Sequence, residues 1–351
     1  MGLRSLSITL FASVLLAQLP EPQGRYTPAR MTFVARDASR DEPLTPDPTD
    51  RREFAVHVWY PCMPATGSQA QYLPDLSKWR EALGDDLLLS ALDGALEPAS
   101  RARPKVRAQG EVLHGRFPLL VFFPMPGASS LGYTTILSNL VSYGYIVVAL
   151  DPAYEVFATT LSEGRIAGFA AMGWFEPPES RISVFEAERV KVWTADAKFA
   201  LDQMAASKLF LRSIDWRKAG ALGHLTGAKA AMALTRQDSR VKLCLNLDGY
   251  PLDEGFPKPI AIIHEELREP VRPVPGLIYD ILVRTSAMHM RSYLDFDVLN
   301  GRPGAEETML LLSQYTAAYF DKVLRHKMGT VLDYKALPGV EVKQYESPEG
   351  R

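Results

Sequence analysis

Runs of apolar residues alternate with amphipathic stretches through the middle of the chain. The segment Phe117–Phe123 is apolar throughout, which is typical of a strand buried on both faces. A helix is predicted over Thr134–Tyr143, ending at Gly144, and a second buried strand follows over Ile146–Leu150. Strand, helix and strand in this order predict a parallel unit with a right-handed crossover.

The N-terminal part of the chain has a different pattern. Arg25–Arg36 and Arg52–Tyr60 are rich in β-branched and aromatic residues, and they predict an antiparallel pair of strands joined by a turn segment rich in proline and aspartate. Residues 62–115 form an irregular insertion with one predicted helix, Leu76–Ala91. Two interpretations of this insertion remain, a lid or a decorated surface loop.

Downstream of the parallel unit, strands and helices continue to alternate. Arg189–Met204 has apolar residues at spacings of three and four, which predicts an amphipathic helix. The remaining predicted elements are a strand, turn and helix within Lys218–Leu234, the strands Val241–Leu247 and Pro259–Ile263, a closing helix marked by Leu312, Tyr315, Tyr319 and Val323, and an extended tail from Leu332. Together they predict an α/β fold, with a mostly parallel central sheet and helices on both faces, in a single domain over residues 18–351.

Composition narrows the possible functions. The 351 residues are 47% hydrophobic, and 39 basic against 41 acidic residues give a net charge of -2, so no basic excess points to nucleic acid or to an anionic membrane. Cys62 and Cys244 are too few for a disulfide framework, and we expect free thiols. Neither cysteine has a histidine or another cysteine at metal-binding spacing.

The first 17 residues have the composition of a secretory signal peptide. Arg4 precedes the apolar run Leu6–Ala17, and we expect cleavage near Ala17 and a secreted or periplasmic product with no stable membrane span. The alternatives are an uncleaved anchor or a frayed N-terminal helix. The run is short for a membrane span, which takes about 20 residues.

The motif that organises the chain is Gly223-His224-Leu225-Thr226-Gly227, placed between an apolar strand and an alanine-rich helix. This is the pattern of a nucleophile elbow, Gly-x-Ser-x-Gly, in which two glycines allow a very tight strand-to-helix turn. Here the catalytic position is occupied by Leu225. A leucine side chain has no lone pair with which to attack an ester.

Two further residues occupy the positions of a catalytic triad. The acid and the histidine of such a triad follow the nucleophile in chain order, each at the carboxyl end of a strand. Asp248 follows a strand directly, and His289 lies after one more predicted strand. The alternatives are a turn aspartate before Gly249 and, for His289, a hydrogen-bonded core histidine or a surface histidine. We expect His224, inside the elbow, to pack in the core.

The turn after Phe123 should supply the oxyanion hole. It reads Pro124-Met125-Pro126-Gly127-Ala128-Ser129-Ser130, and each proline removes one backbone N–H donor. The oxyanion region is therefore assigned to Met125 in this turn and to Thr226, which follows the nucleophile position. Ser129 and Thr226 are weaker candidates for an alternative nucleophile, because Ser129 precedes the wrong helix and Thr226 should point along its helix.

Several of these segments together resemble a known family, the secreted platelet-activating-factor acetylhydrolase-like branch of the α/β-hydrolases, which is related to dienelactone hydrolase-like proteins. The segments that carry the resemblance are Arg52–Pro61, Phe117–Pro152, the elbow, Leu245–Pro251, His289 with Asp295 beyond it, and Tyr315–Asp321. The resemblance implies an α/β-hydrolase fold, with Asp248 and His289 in the acid and histidine positions. It also implies hydrolysis of short acyl chains from phospholipid-like esters without a metal or cofactor.

The sequence departs from this family at the residues that would carry out catalysis. Leu225 replaces the serine, and Pro124 and Pro126 replace a more glycine-rich turn. One hypothesis is an exported pseudo-hydrolase whose pocket still binds a lipid or ester. The alternative is an active carboxylic ester hydrolase in which His289 and Asp248 activate water or a non-standard hydroxyl. A purely structural or protein-binding role is a third possibility.

Overall fold

The computed structural model describes residues 18–83, 96–175, 178–249, 252, 254–265, 271–286 and 293–345. The strands are β1 Thr27–Asp41, β2 Arg51–Cys62, β3 Ser68–Gln69, β4 Arg107–Ala108, β5 Phe117–Phe123, β6 Ile146–Pro152, β7 Ala158–Thr160, β8 Ile166–Gly168, β9 Ile214–His224, β10 Val241–Leu247, β11 Ile260–His264, β12 Leu277–Val283 and β13 Val340–Gln344. The helices are α1 Leu76–Leu83, α2 Thr134–Ser142, α3 Glu179–Ala206, α4 Thr226–Gln237, α5 Phe296–Leu299 and α6 Ala305–Arg325. Residues 96–101 are also helical, and short 3-10 turns span Ser130–Tyr133, Ser162–Gly164, Met172–Phe175 and Val331–Asp333.

Within the described residues, eleven strands form one sheet in the order β13-β12-β11-β10-β9-β5-β6-β2-β1-β4-β3. The strands from β6 through β5, β9, β10 and β11 to β12 pair in parallel. The pairs β1–β2, β2–β6 and β12–β13 are antiparallel and lie towards the two sides of the sheet. The predicted mostly parallel α/β architecture is therefore confirmed.

The core lies on both faces of this sheet, because the central strands are apolar on both sides. Helices α2 and α6 pack on one face of the sheet, in a cluster with the strand residues Leu120, Phe122 and Leu222. Helices α3 and α4 pack on the other face, in a cluster with the strand residues Leu119 and Val121. The continuous apolar sequence of β5 thus reflects burial against a helical layer on each side.

Several predicted boundaries need correction. The amphipathic helix predicted over Arg189–Met204 begins ten residues earlier, since α3 spans Glu179–Ala206. Two strands separate Asp248 from the segment carrying His289, where one was predicted; the missed strand, β12, carries Asp280 in its middle, which interrupts its apolar run. The predicted helix Leu76–Ala91 is described only as α1, Leu76–Leu83, because residues 84–95 lie outside the described part.

The described part of the 62–115 insertion packs against the body of the protein. Strands β3 and β4 extend the sheet beyond β1. Leu76 and Trp79 of α1 are buried, and the Trp79 indole donates to the Thr160 hydroxyl at 3.0 Å. Both cysteines, Cys62 and Cys244, are buried free thiols.

None of the helices in the described ranges is both long and apolar enough to cross a membrane. The predicted signal peptide, residues 1–17, lies outside the described residues.

Candidate active site

The turn between β9 and α4 has the backbone of a nucleophile elbow. Leu225 lies at its apex with φ 51° and ψ -118°, and α4 begins at the next residue, Thr226. A positive φ is uncommon for a residue with a side chain, and holding it costs about 1 to 3 kcal/mol. The Leu225 N–H donates to the carbonyl of Leu247 on β10 at 3.0 Å, which ties the apex to the neighbouring strand.

The two glycines of the motif are required by close packing. A Cβ atom on Gly223 would lie 2.1 Å from the Gly227 carbonyl oxygen, and a Cβ on Gly227 would lie 2.4 Å from the oxygens of Phe123 and Pro124. Both distances are too short for any side chain. The elbow therefore packs directly against the end of β5, where the predicted oxyanion turn begins.

Asp248 lies at the carboxyl end of β10, beside the elbow. Its backbone has φ 48°, its N–H donates to Ile263 at 2.8 Å, and its side chain is buried. Burial, with the nearby charge of Glu265, raises the pKa of Asp248 to about 6. Its Oδ1 has no hydrogen-bond partner among the described residues. His289, the expected partner, lies outside the described residues.

Asp295 caps the N-terminal end of helix α2. Its carboxylate accepts the Thr135 N–H in the first turn of α2, at 3.2 Å to one oxygen and 3.3 Å to the other. Burial raises the pKa of Asp295 to about 7, against the opposing effect of its hydrogen bonds. This contact makes Asp295 a capping residue.

His224 is completely buried between two tyrosines. Its Nδ1 and the Tyr133 hydroxyl are 2.8 Å apart, and its ring lies 4.5 Å, centroid to centroid, from that of Tyr293. The Tyr293 hydroxyl donates to the carbonyl of Ile263 at 3.0 Å. The sequence predicted packing for His224 but gave no sign of its tyrosine partners, because both are distant along the chain.

Ser129, near the end of the predicted oxyanion turn, is held in a buried polar cluster. Its hydroxyl donates to the Asp151 carboxylate and accepts the Leu131 N–H at 3.2 Å. The same carboxylate contacts His57 Nε2 at 3.3 Å. Burial alone would raise the pKa of Asp151, but His57 and the hydrogen bonds hold it below its usual value. The Ser129 hydroxyl thus donates to a carboxylate and not to a histidine, and the serine caps the 3-10 turn that follows.

Thr226 points away from the elbow towards α3. Its hydroxyl donates to Glu186 Oε1 at 2.6 Å, and the other oxygen of Glu186 accepts from Lys229. A cleft of about 780 Å³ opens beside these groups, between α3 and α4. Its lining includes Ala228 of the elbow helix and Asn246 of β10.

A histidine–aspartate pair that sequence reasoning missed lies on β11 and β12. His264 Nε2 is 2.7 Å from Asp280 Oδ1, and Lys343 of β13 contacts the other oxygen of Asp280 at 3.3 Å. His264 Nδ1 contacts the carbonyl of Glu265, so both ring nitrogens are engaged. No group of three histidine, cysteine, aspartate or glutamate side chains suited to a metal ion occurs within the described ranges.

The sheet order and the elbow together define the α/β-hydrolase fold. No protein-family model matches the chain. A probable 1-alkyl-2-acetylglycerophosphocholine esterase of Arthroderma benhamiae is 24% identical over 241 residues, which are 66% of this chain and 58% of that relative. The match thus spans less than two thirds of the relative's own length.

The structural comparison covers nearly the whole chain. A ferulic acid esterase from Streptomyces cinnamoneus superposes with a TM-score of 0.76 at 25% identity, over 93% of this chain and 99% of that one. The sequence and structural similarities both support an ester-hydrolase family with this fold.

Proposed function

We propose that this chain is an exported pseudo-hydrolase of the α/β-hydrolase fold, related to platelet-activating-factor acetylhydrolases, whose pocket retains a lipid or ester ligand. The observation that carries the proposal is Leu225 at the apex of the elbow, with φ 51°. The strained backbone that presents a nucleophile in such enzymes is kept, while the side chain there cannot react.

The rate cost of lacking a serine nucleophile supports the proposal. Removing the nucleophile from a serine triad costs about a millionfold in rate. A leucine at the same position adds apolar surface, which would favour an apolar ligand by about 1 to 2 kcal/mol. A site with leucine at this position would bind an ester or acyl chain more readily than it would cleave it.

An active carboxylic ester hydrolase is the second candidate. It is favoured by the two similar proteins, which are named as esterases at 24% and 25% identity. In this hypothesis Asp248 orients His289, and the imidazole activates water. General-base catalysis of this kind contributes only about a hundred- to ten-thousandfold, so such an enzyme would be slow.

Hydrolysis of a short-chain chromogenic ester separates the two functions. We expect no turnover above background by the wild type, and a measurable gain in Leu225→Ser, because that change restores an attacking oxygen. Wild-type turnover that His289→Ala abolishes would contradict the pseudo-hydrolase proposal and establish the second candidate. Wild-type turnover that Ser129→Ala abolishes would instead reveal a serine nucleophile outside the elbow, which labelling by a fluorophosphonate would detect independently.

A further inference from the structure

We propose that the Tyr133 hydroxyl accepts the hydrogen bond of an oxyanion donor, the Met125 N–H. It would thereby form a second block on ester hydrolysis, separate from Leu225. The inference deepens the proposed pseudo-hydrolase function and rests on it. It assigns to Tyr133 the place that the carbonyl oxygen of a substrate would take.

The backbone N–H groups at the start of the oxyanion turn all have acceptors within the protein. Pro124 and Pro126 have no N–H. The Met125 N–H donates to the Tyr133 hydroxyl at 3.1 Å. The N–H of Gly127 donates to the carbonyl of Glu155 at 2.8 Å, and that of Ala128 donates to the carbonyl of Met125 at 3.2 Å. Every N–H from residue 124 to residue 128 is therefore already engaged.

Among these donors, only the Met125 N–H is bound to a side chain that could be removed without changing the backbone. The partners of Gly127 and Ala128 are backbone carbonyls. The phenol oxygen lies 3.1 Å from Met125 N, an ordinary hydrogen-bond length, and so it excludes another acceptor from this N–H. Tyr133 thus mimics the ligand oxygen that this N–H would bind.

Tyr133 is held firmly in this position. Its side chain is completely buried, and its ring lies 4.7 Å from that of Phe122, centroid to centroid. The hydroxyl is also 2.8 Å from His224 Nδ1, so it is fixed from a second side. Burial raises the pKa of Tyr133 far above its usual value, which keeps the phenol neutral. A substrate carbonyl would have to displace a hydroxyl with two hydrogen bonds and little freedom to move.

The consequence is that a serine at position 225 would have an incomplete oxyanion hole. Loss of one oxyanion donor lowers the rate by about a hundred- to a thousandfold. Replacing Tyr133 by phenylalanine removes a single oxygen atom and leaves a space of that size beside the Met125 N–H. A substrate carbonyl oxygen could then accept the freed hydrogen bond.

The test compares wild type, Leu225→Ser, Tyr133→Phe and the double variant for ester hydrolysis and for the rate of fluorophosphonate labelling. We expect the double variant to react at least tenfold faster than Leu225→Ser, and Tyr133→Phe alone to remain inert. Tyr145→Phe in the Leu225→Ser background is the matched control, because it also removes a buried hydroxyl, one that donates to Asp321 at 2.8 Å away from the turn. Equal rates for Leu225→Ser and the double variant, or no reaction by either, would overturn the inference. Turnover by the wild type would instead refute the proposed function.

A second measurement does not depend on catalysis. Amide hydrogen exchange should show the Met125 N–H protected in the wild type and exchanging at least tenfold faster in Tyr133→Phe, since its acceptor is gone. The Gly127 N–H, which donates to Glu155, should be unchanged and serves as the internal control. Equal protection of Met125 in both proteins would contradict the assignment.

Discussion

The elbow after β9 and the oxyanion turn after β5 lie side by side on two strands that pair in parallel, yet they are held in different ways. Close backbone packing fixes the elbow, because neither Gly223 nor Gly227 has room for a Cβ atom. Polar partners fix the turn: Asp151 binds Ser129 and the Ser130 N–H, while Tyr133 binds the Met125 N–H.

Under the proposed function, this difference would explain how the two parts of a hydrolase site diverge separately. A steric elbow keeps its shape when its apex changes from an oxygen nucleophile to leucine. A turn held by hydrogen bonds keeps its shape while its donors become unavailable to a substrate. The backbone of the site can therefore persist after its chemistry has changed.

The largest expected effect concerns the buried charges behind the turn. Arg52 is completely buried and contacts both Glu42 and Asp196 at 2.7 Å. We expect Arg52→Met to lower the free energy of unfolding by about 4 kcal/mol in urea titrations, because it leaves buried carboxylates without their cation. Arg101→Met, which breaks an exposed pair with Glu97, should change it by less than about 0.5 kcal/mol. Similar losses of unfolding free energy in the two variants would argue against a stabilising role for the buried ion pairs of Arg52.

Glu155 should make the stability of this polar region depend on pH. Its backbone holds Gly127, its side chain is buried near Arg52 and Arg189, and burial raises its pKa to about 7 despite those cations. The folded protein then binds the Glu155 proton more tightly than the unfolded chain does. Stability from this group is therefore present at low pH and is lost as the pH rises towards 7.

Unfolding titrations between pH 5 and 8 test this prediction. The wild-type free energy of unfolding should decrease as the pH rises over this range. Up to roughly 3 kcal/mol of that decrease should be absent in Glu155→Gln, since one pKa unit corresponds to about 1.4 kcal/mol. Glu188→Gln, at an exposed position of α3, should leave the wild-type slope unchanged. A Glu155→Gln protein with the full wild-type slope would show that another group titrates.

Gly227→Ala tests the steric half of the comparison. The added Cβ would meet the oxygens of Phe123 and Pro124 at 2.4 Å, so we expect a loss of about 2 to 3 kcal/mol. Unlike the Glu155 effect, this loss should be the same across the pH range. The control is Gly255→Ala, whose Cβ would meet Pro275 at an ordinary 3.4 Å. A loss no larger than that of the control would show that the elbow can relax.

The smallest effect is expected from the hydrogen bond of Thr226, the first residue of the elbow helix. Thr226→Val removes the hydrogen bond to Glu186 and should cost about 1 kcal/mol in thermal or urea unfolding. Thr226→Ser keeps the hydroxyl and should lose less. A cost from Thr226→Val as large as that of Arg52→Met would mean that polar contacts hold the elbow as well.

Much of the fold could be predicted from local pattern. The apolar run of β5 matched the observed strand Phe117–Phe123, since burial on both faces leaves a continuous apolar sequence. The glycines around Leu225 predicted the tight turn and its position. Strand β12 was missed because Asp280, buried through its pairing with His264, breaks the apolar pattern.

By itself, the sequence determined the α/β layering, the position of the elbow and the absence of an attacking oxygen at residue 225, because strand periodicity, glycine spacing and side-chain identity are local properties. Only the tertiary structure decided that Tyr133 binds the Met125 N–H and His224, and that Asp151 holds Ser129. Those contacts join residues on different strands and turns. Which buried donor meets which acceptor depends on how the layers pack, and no spacing along the chain records it.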